Sequence, residues 1–188
     1  MDGVDESQNT SGETLIVRIR NRAHHLYESR QMLCAEAVLT ALNQGLGGGL
    51  TDGQTTALAA PFGMALGTGR CLCGALGGAV MAAGLLLGGE HTHWQRRRMR
   101  ASARQLHDAF TAANGATCCR VLTRKVKHDS KAHFRLCAGL TAHSAELAAR
   151  LVLQERPALI ARADHAYPPG HHTTIGGALS RVINTLVR

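Results

Sequence analysis

The chain has 188 residues, 45% of them hydrophobic but only 3% aromatic, and a formal charge of +8 from 21 Lys and Arg against 13 Asp and Glu. That length supports one domain with a real core, and apolar content made of Ala, Leu and Val favours helices over sheets, so an all-α fold is expected. A basic surface can attract nucleic acid, anionic lipid or an acidic protein. With no zinc-finger pattern, no aromatic interleaving and no defensible helix-turn-helix spacing, no nucleic acid partner is expected.

Residues 1–12 are small, polar and acidic, the composition of a disordered tail. They lack the basic and apolar regions of a secretory signal, which points to the reducing cytoplasm. Six cysteines there read as metal ligands or redox groups rather than as a disulfide frame. A first helix is expected from Ser11 or Thr14 to about Glu28, with Leu15, Ile19, Ala23, Leu26 and Tyr27 on one face.

A second helix is expected over about Leu33–Gln44, carrying Cys34 and ending at Gly45. The glycine-rich loop that follows has no Gly-Lys-Ser/Thr closure, so it is not a phosphate loop. Asp52 is the expected N-cap of a third helix over about Gln54–Ala60, stopped by Pro61. Phe62–Gly69 reads as an apolar loop punctuated by glycine.

Cys71–Gly89 then runs nineteen residues without a charge, which raises the question of a membrane span. Six of those residues are glycine, no second span exists, and Trp94 stands alone where an aromatic belt would be. No membrane insertion is expected. The stretch reads instead as a central Gly/Ala-rich helix, about Gly74–Leu87, around which a compact bundle assembles. Gly74 and Gly78, four apart, share a face where neighbouring helices, or a cluster, can approach the backbone; Ala75 keeps that space open.

A basic helix is expected over about Gln95–Asn114, turning Met99, Ala103, Leu106 and Phe110 inward and ending at Gly115. Its Arg96–Arg104 run could dock an acidic redox partner. Cys118–Leu122 reads as a short turn or helix, Thr123–His133 as a polar connector, and Ala138–Gln154 as the last strong helix, with Leu140, Leu147, Leu151 and Val152 buried. Residues 156–188 form a linker and a helical appendage. Thr173 or Thr174 would cap its amphipathic helix, which suits docking on the body or on a second copy in a homodimer. The four-cysteine domain is thus 13–155.

No Cys-x-x-Cys pair and no Cys-x-x-Cys-His exists, so ribbon-type zinc, thioredoxin-like and covalent c-type haem readings lose their signatures. Cys34, Cys73, Cys119 and Cys137 each fall at or near the start of a helical pattern, where free N–H donors and the helix dipole favour thiolates. Four such thiolates could cage an iron–sulfur cluster or hold zinc. A lone cysteine would more simply be a small buried hydrophobe. The eleven histidines are scattered, and no hydrolase constellation stands out.

The order of these residues carries a resemblance. Cys34-Ala35-Glu36-Ala37-Val38-Leu39, then Cys73-Gly74-Ala75-Leu76-Gly77-Gly78, then Cys119-Arg120-Val121-Leu122, then Cys137 before a helix, resembles the redox-active family named for its C…CGAxxG…C…C pattern. That family includes the iron–sulfur part of split-Soret cytochrome c, and the resemblance covers about residues 14–153. It implies a small helical redox domain whose ligands to an iron–sulfur cluster, of the [2Fe–2S] kind, are Cys34, Cys73, Cys119 and Cys137. Cys71 and Cys118 are extra thiols, each beside a proposed ligand, that could substitute for it or join it in a dithiol. Two other readings stay open: a thiol–disulfide redox or metal-sensing protein, and a structural zinc domain for protein interaction.

Overall fold

The computed structural model describes residues 3–67, 69, 71–89 and 92–163, and among them it is all helix and turn with no strand. Six helices have eight residues or more: α1 (Gly3–Glu28), α2 (Cys34–Leu46), α3 (Asp52–Ala59), α4 (Gly74–Leu87), α5 (His93–Asn114) and α6 (Ser130–Glu155). The expected C-terminal amphipathic helix lies outside the described residues.

The helix starts follow local hydrogen-bond chemistry that hydrophobic spacing does not reveal. Thr51, not Asp52, caps α3: its hydroxyl accepts from Gln54 N–H at 3.3 Å while Gln54 Oε1 accepts from Thr51 N–H at 2.9 Å. This reciprocal pair satisfies two donors that the helix itself cannot. Asp52 accepts instead from the Gln44 side chain at 2.7 Å. Asp129 caps α6 by accepting from the N–H groups of Lys131 and Ala132 at 3.0 and 2.9 Å. The last helix therefore starts at Ser130 and absorbs the end of the expected connector, from Ser130 to His133. Gly47, at φ 66°, ends α2 in a left-handed turn, two residues later than the Gly45 expected to stop it. Gly115, at φ 76°, ends α5 as expected.

α1 begins at Gly3, well before Ser11, so most of the stretch whose composition suggested a disordered tail is helical. Arg150 on α6 donates to both carboxylate oxygens of Glu13, at 2.6 and 3.0 Å. Pro157–Arg162 forms a 3-10 segment whose Leu159 is buried in the same core as the bundle. The chain beyond Glu155 thus begins as part of the body rather than as a linker.

α1 lies along α6 and α2; α4 lies against α2, α5 and α6. The Gly/Ala-rich α4 has ten of its fourteen residues buried, yet Gly84 reaches solvent. The most enclosed helix is α2, with eleven of thirteen residues buried. Of the residues expected inward on α5, Leu106 and Phe110 are buried; Met99 and Ala103 are half-buried. α4 is too short to cross a bilayer. α6 is long and apolar enough by length and composition, but 61% of its most apolar window is buried in the bundle.

The α2–α4 contact is made backbone to backbone. A Cβ at Gly78 would stand 2.5 Å from the Ala35 carbonyl oxygen and 3.0 Å from Val38 Cβ. A Cβ at Gly74 would stand 2.6 Å from both Cys34 Sγ and the Phe62 carbonyl oxygen. Residues 74 and 78 thus meet 34 and 38 in the same order, so α2 and α4 run parallel and bring their N-termini together. At the other end of α4, Arg156 donates to the carbonyls of Leu86 and Leu87 (both 3.1 Å) and Gln95 to that of Leu87 (2.7 Å). These bonds satisfy last-turn acceptors and put positive charge at the negative end of the helix.

Replacing Gly78 by Ala should lower stability by about 1–3 kcal/mol, because backbone atoms must move to admit the methyl group. Gly84→Ala, where nothing lies within 4 Å, should raise stability by about 0.5–1 kcal/mol. Denaturant midpoints of the two variants test this; equal midpoints would show that the α2–α4 contact has slack.

Candidate cysteine centre

The parallel start of α2 and α4 sets Cys34 and Cys73 side by side. Cys34 is the first residue of α2 and Cys73 the N-cap of α4. Cys119 opens a single helical turn, Cys119–Leu122, after Cys118 in an extended conformation. Cys137 is different. It is the eighth residue of α6, well inside the helix, so it lacks the free N–H groups of a helix start that the sequence pattern suggested.

Cys34, Cys119 and Cys137, from three separate elements, line one cavity of about 1190 Å³. Cys73 stands behind Cys119, buried, and the two thiols share a hydrogen bond. The cavity wall is apolar at Leu33, Met64, Ala65, Val121 and Phe134, and basic at Arg30, Arg120, Arg124 and Lys127. Met64, Ala65 and Leu66 all adopt left-handed backbone, at φ 50°, 57° and 56°. For L-residues this costs roughly 1–2 kcal/mol each, a strain held at the cavity edge.

Each thiol has a distinct electrostatic setting. Cys73 is held below the ordinary thiol value, first because Cys119 donates to it and then through the N–H groups of Leu76 and Ala75, against the effect of burial. Cys119, the donor, is pushed well up by that same bond and by burial. Burial pushes Cys34 up to about 11, although Ala35 N–H opposes the shift. Burial also raises Cys137, while the Tyr27 hydroxyl, hydrogen-bonded to its sulfur, favours the thiolate. Tyr27 stacks on Phe134 at 5.1 Å, and Arg30 lies over the same Phe134 ring at 5.0 Å. Hydrophobic spacing marks Tyr27 only as a core-facing residue of the first helix; its part as a thiol's partner had no sequence signal.

The remaining residues of interest divide between pocket and packing. Gly74 borders the Cys34 sulfur, so it belongs to the site. Gly78 packs against Ala35 and Val38 deeper in the bundle, and Ala75 is buried in the core. Cys71 and Cys118 lie outside the cavity and hydrogen-bond to each other. The Arg96–Arg104 run does not line the cavity; Arg98 pairs with Glu155, and Arg104 with Asp108 at 2.7 Å. Among the described residues, no three His, Cys, Asp or Glu side chains converge tightly enough to enclose a single metal ion.

The donor set suits a group larger than one ion. Three sulfurs face a common space, and a fourth sits one hydrogen bond behind. The wall is apolar and its basic residues would offset a net negative group.

A family model described as "Putative redox-active protein (C_GCAxxG_C_C)" matches residues 32–151, a span that includes all six cysteines. Set against that name, Leu72-Cys73-Gly74-Ala75-Leu76-Gly77 carries the cysteine and the last glycine, with Leu72 and Gly74 in place of Gly and Ala. No curated protein and no solved structure matches the chain.

In the metal-free protein, Cys34, Cys119 and Cys137 all hold their protons more tightly than the 9.0 of an ordinary thiol. Above pH 9 the unfolded chain therefore loses protons first, and stability should fall as pH rises toward about 11. Denaturant midpoints at pH 8 and pH 10.5 should show the loss, and Cys34→Ser should reduce it. An unchanged difference in Cys34→Ser would remove Cys34 as a contributor.

Proposed function

Because the chain belongs to the C_GCAxxG_C_C family of redox-active proteins, we propose that Cys34, Cys73, Cys119 and Cys137 hold an iron–sulfur cluster of the [2Fe–2S] kind and that the protein transfers electrons. The observation that carries this reading is the convergence of Cys34, Cys119 and Cys137 on one cavity, with Cys73 hydrogen-bonded behind Cys119. When bound, such a cluster supplies one-electron chemistry at a potential that the protein tunes.

The chain's own residues have separable parts. The N–H groups at the start of α4 stabilise negative charge on Cys73. The Tyr27 hydroxyl does the same for Cys137, which sits too deep in its helix for backbone help. Gly74 keeps side-chain bulk away from Cys34. The apolar wall limits water at the sulfurs.

A structural zinc site draws four ligands to about 2.3 Å around one ion; among the described residues no three such side chains are gathered in that way. Electrons would enter or leave where the cavity opens. Arg30, Arg120, Arg124 and Lys127 surround it and are exposed, so an acidic protein is the partner their charge fits. On this reading the partner docks at the cavity rather than on the Arg96–Arg104 helix.

Anaerobic reconstitution with iron and sulfide should give a coloured protein with equal iron and sulfide and a paramagnetic signal on reduction. Cys34→Ser, Cys119→Ser and Cys137→Ser should each lose most of the iron while keeping the helical circular dichroism of the wild type; Cys71→Ser should not. A colourless protein without iron, or one that takes up zinc alone, would defeat the proposal. Charge reversal at Arg124 should slow electron exchange with an acidic acceptor at least several-fold at low salt, and the effect should shrink as salt rises.

A further inference from the structure

Cys71 and Cys118 are left over once the four ligands are assigned, yet they are neither isolated nor adjacent in sequence. The segments that carry them lie side by side. Cys73 N–H donates to the Thr117 carbonyl at 2.8 Å, and the Cys119 thiol reaches the Leu72 carbonyl at 4.0 Å. This pairing lines up two thiol–thiol contacts. Cys73 meets Cys119 in the interior, and Cys71 meets Cys118 at the surface. Cys71 is exposed and Cys118 half-buried, so this outer pair is open to small reagents.

We propose that Cys71 and Cys118 form a redox-active dithiol that low-molecular-weight disulfides convert to an intramolecular disulfide, separate from the metal ligands and joining the two segments that end in Cys73 and Cys119. The geometry selects this pairing over its sequence-adjacent rivals. A Cys118–Cys119 disulfide would close a strained ring between neighbours. Cys71 and Cys73 are divided in the fold, one exposed and one buried at 3%. Only Cys71 and Cys118 are both accessible and already in contact.

The exchange balances without any further reactant. One thiol of the pair loses its proton and attacks one sulfur of oxidised glutathione; a protein–glutathione S–S bond forms and one glutathione thiolate leaves. The other thiol gives up its proton and attacks the protein sulfur of that bond. The protein disulfide forms and the second glutathione leaves as a thiolate. The protein loses two electrons and two protons, and one glutathione disulfide becomes two thiols.

The bond would staple the approach to Cys73 to the approach to Cys119. This consequence rests on the ligand assignment above; formation of the bond does not, because it needs no metal. The test therefore uses metal-free full-length protein equilibrated with oxidised glutathione, alkylated, and weighed intact and after trypsin. Wild type should carry four alkyl groups instead of six, Cys119→Ser three instead of five, and each should show one disulfide joining the peptide that begins at Cys71 to the peptide that ends at Arg120. Cys71→Ser and Cys118→Ser should instead retain a single glutathione on the remaining thiol. A disulfide that persists in Cys71→Ser, or a wild type that carries only glutathione adducts, would overturn the proposal. Cys71→Ser should still load iron and sulfide like wild type. Loss of iron from that variant would assign Cys71 to the ligands and likewise overturn the separation. If no variant, wild type included, takes up iron, the cluster reading fails while the disulfide result stands by itself.

Discussion

The structure depends on the close, parallel contact of α2 and α4. At Gly78 the α4 backbone comes so near the Ala35 carbonyl that no Cβ fits, and side chains elsewhere on the two helices pack around that point. Because the helices run the same way, their positive ends coincide. Cys34 and Cys73 are placed at those ends, so one packing constraint positions two of the thiols and aims two helix dipoles at them. The cost of the arrangement appears at the far end of α4, where Arg156 and Gln95 bind carbonyls that the helix cannot satisfy.

The other two thiols reach the same place by different means. Cys119 arrives on a short turn fixed to the Cys71–Cys73 segment by the bond from Cys73 to Thr117. Cys137 is carried by a long helix whose position follows from its packing along α1. Its sulfur is served by a side chain, Tyr27, from that same neighbour. The four sulfurs therefore differ in charge preference. Burial keeps protons on Cys34 and Cys137, while Cys73 is the thiol best suited to ionise. A cationic centre entering the cavity would displace those protons and gain the charge that burial now suppresses.

Surface charge is distributed in a way that the linear sequence obscures. The densest basic run lies on α5, where part of it is spent on Glu155 and Asp108. The cavity mouth is basic because Arg30, Arg120, Arg124 and Lys127 are gathered from separate segments. A charge run on one helix is easy to read in a sequence; a ring assembled from two distant stretches is not.

By itself the sequence determined the helical class, the extent of α4 as Gly74–Leu87, the stop at Gly115 and the family pattern of cysteines. These rest on local properties: helix propensity, apolar period, glycine at a left-handed turn and residue order. Local chemistry also held cues that apolar spacing overrode, such as Asp129 as the true start of α6 and Thr51-x-x-Gln54 as the cap of α3. Tertiary structure decided the rest. It paired Glu13 on α1 with an arginine 137 residues away. It placed Cys137 inside a helix with Tyr27 as partner, and it paired Cys71 with Cys118 rather than with the neighbour of either. Each of these joins residues far apart in the chain, and such contacts are set by how helices pack, which the spacing of residues along the chain does not encode.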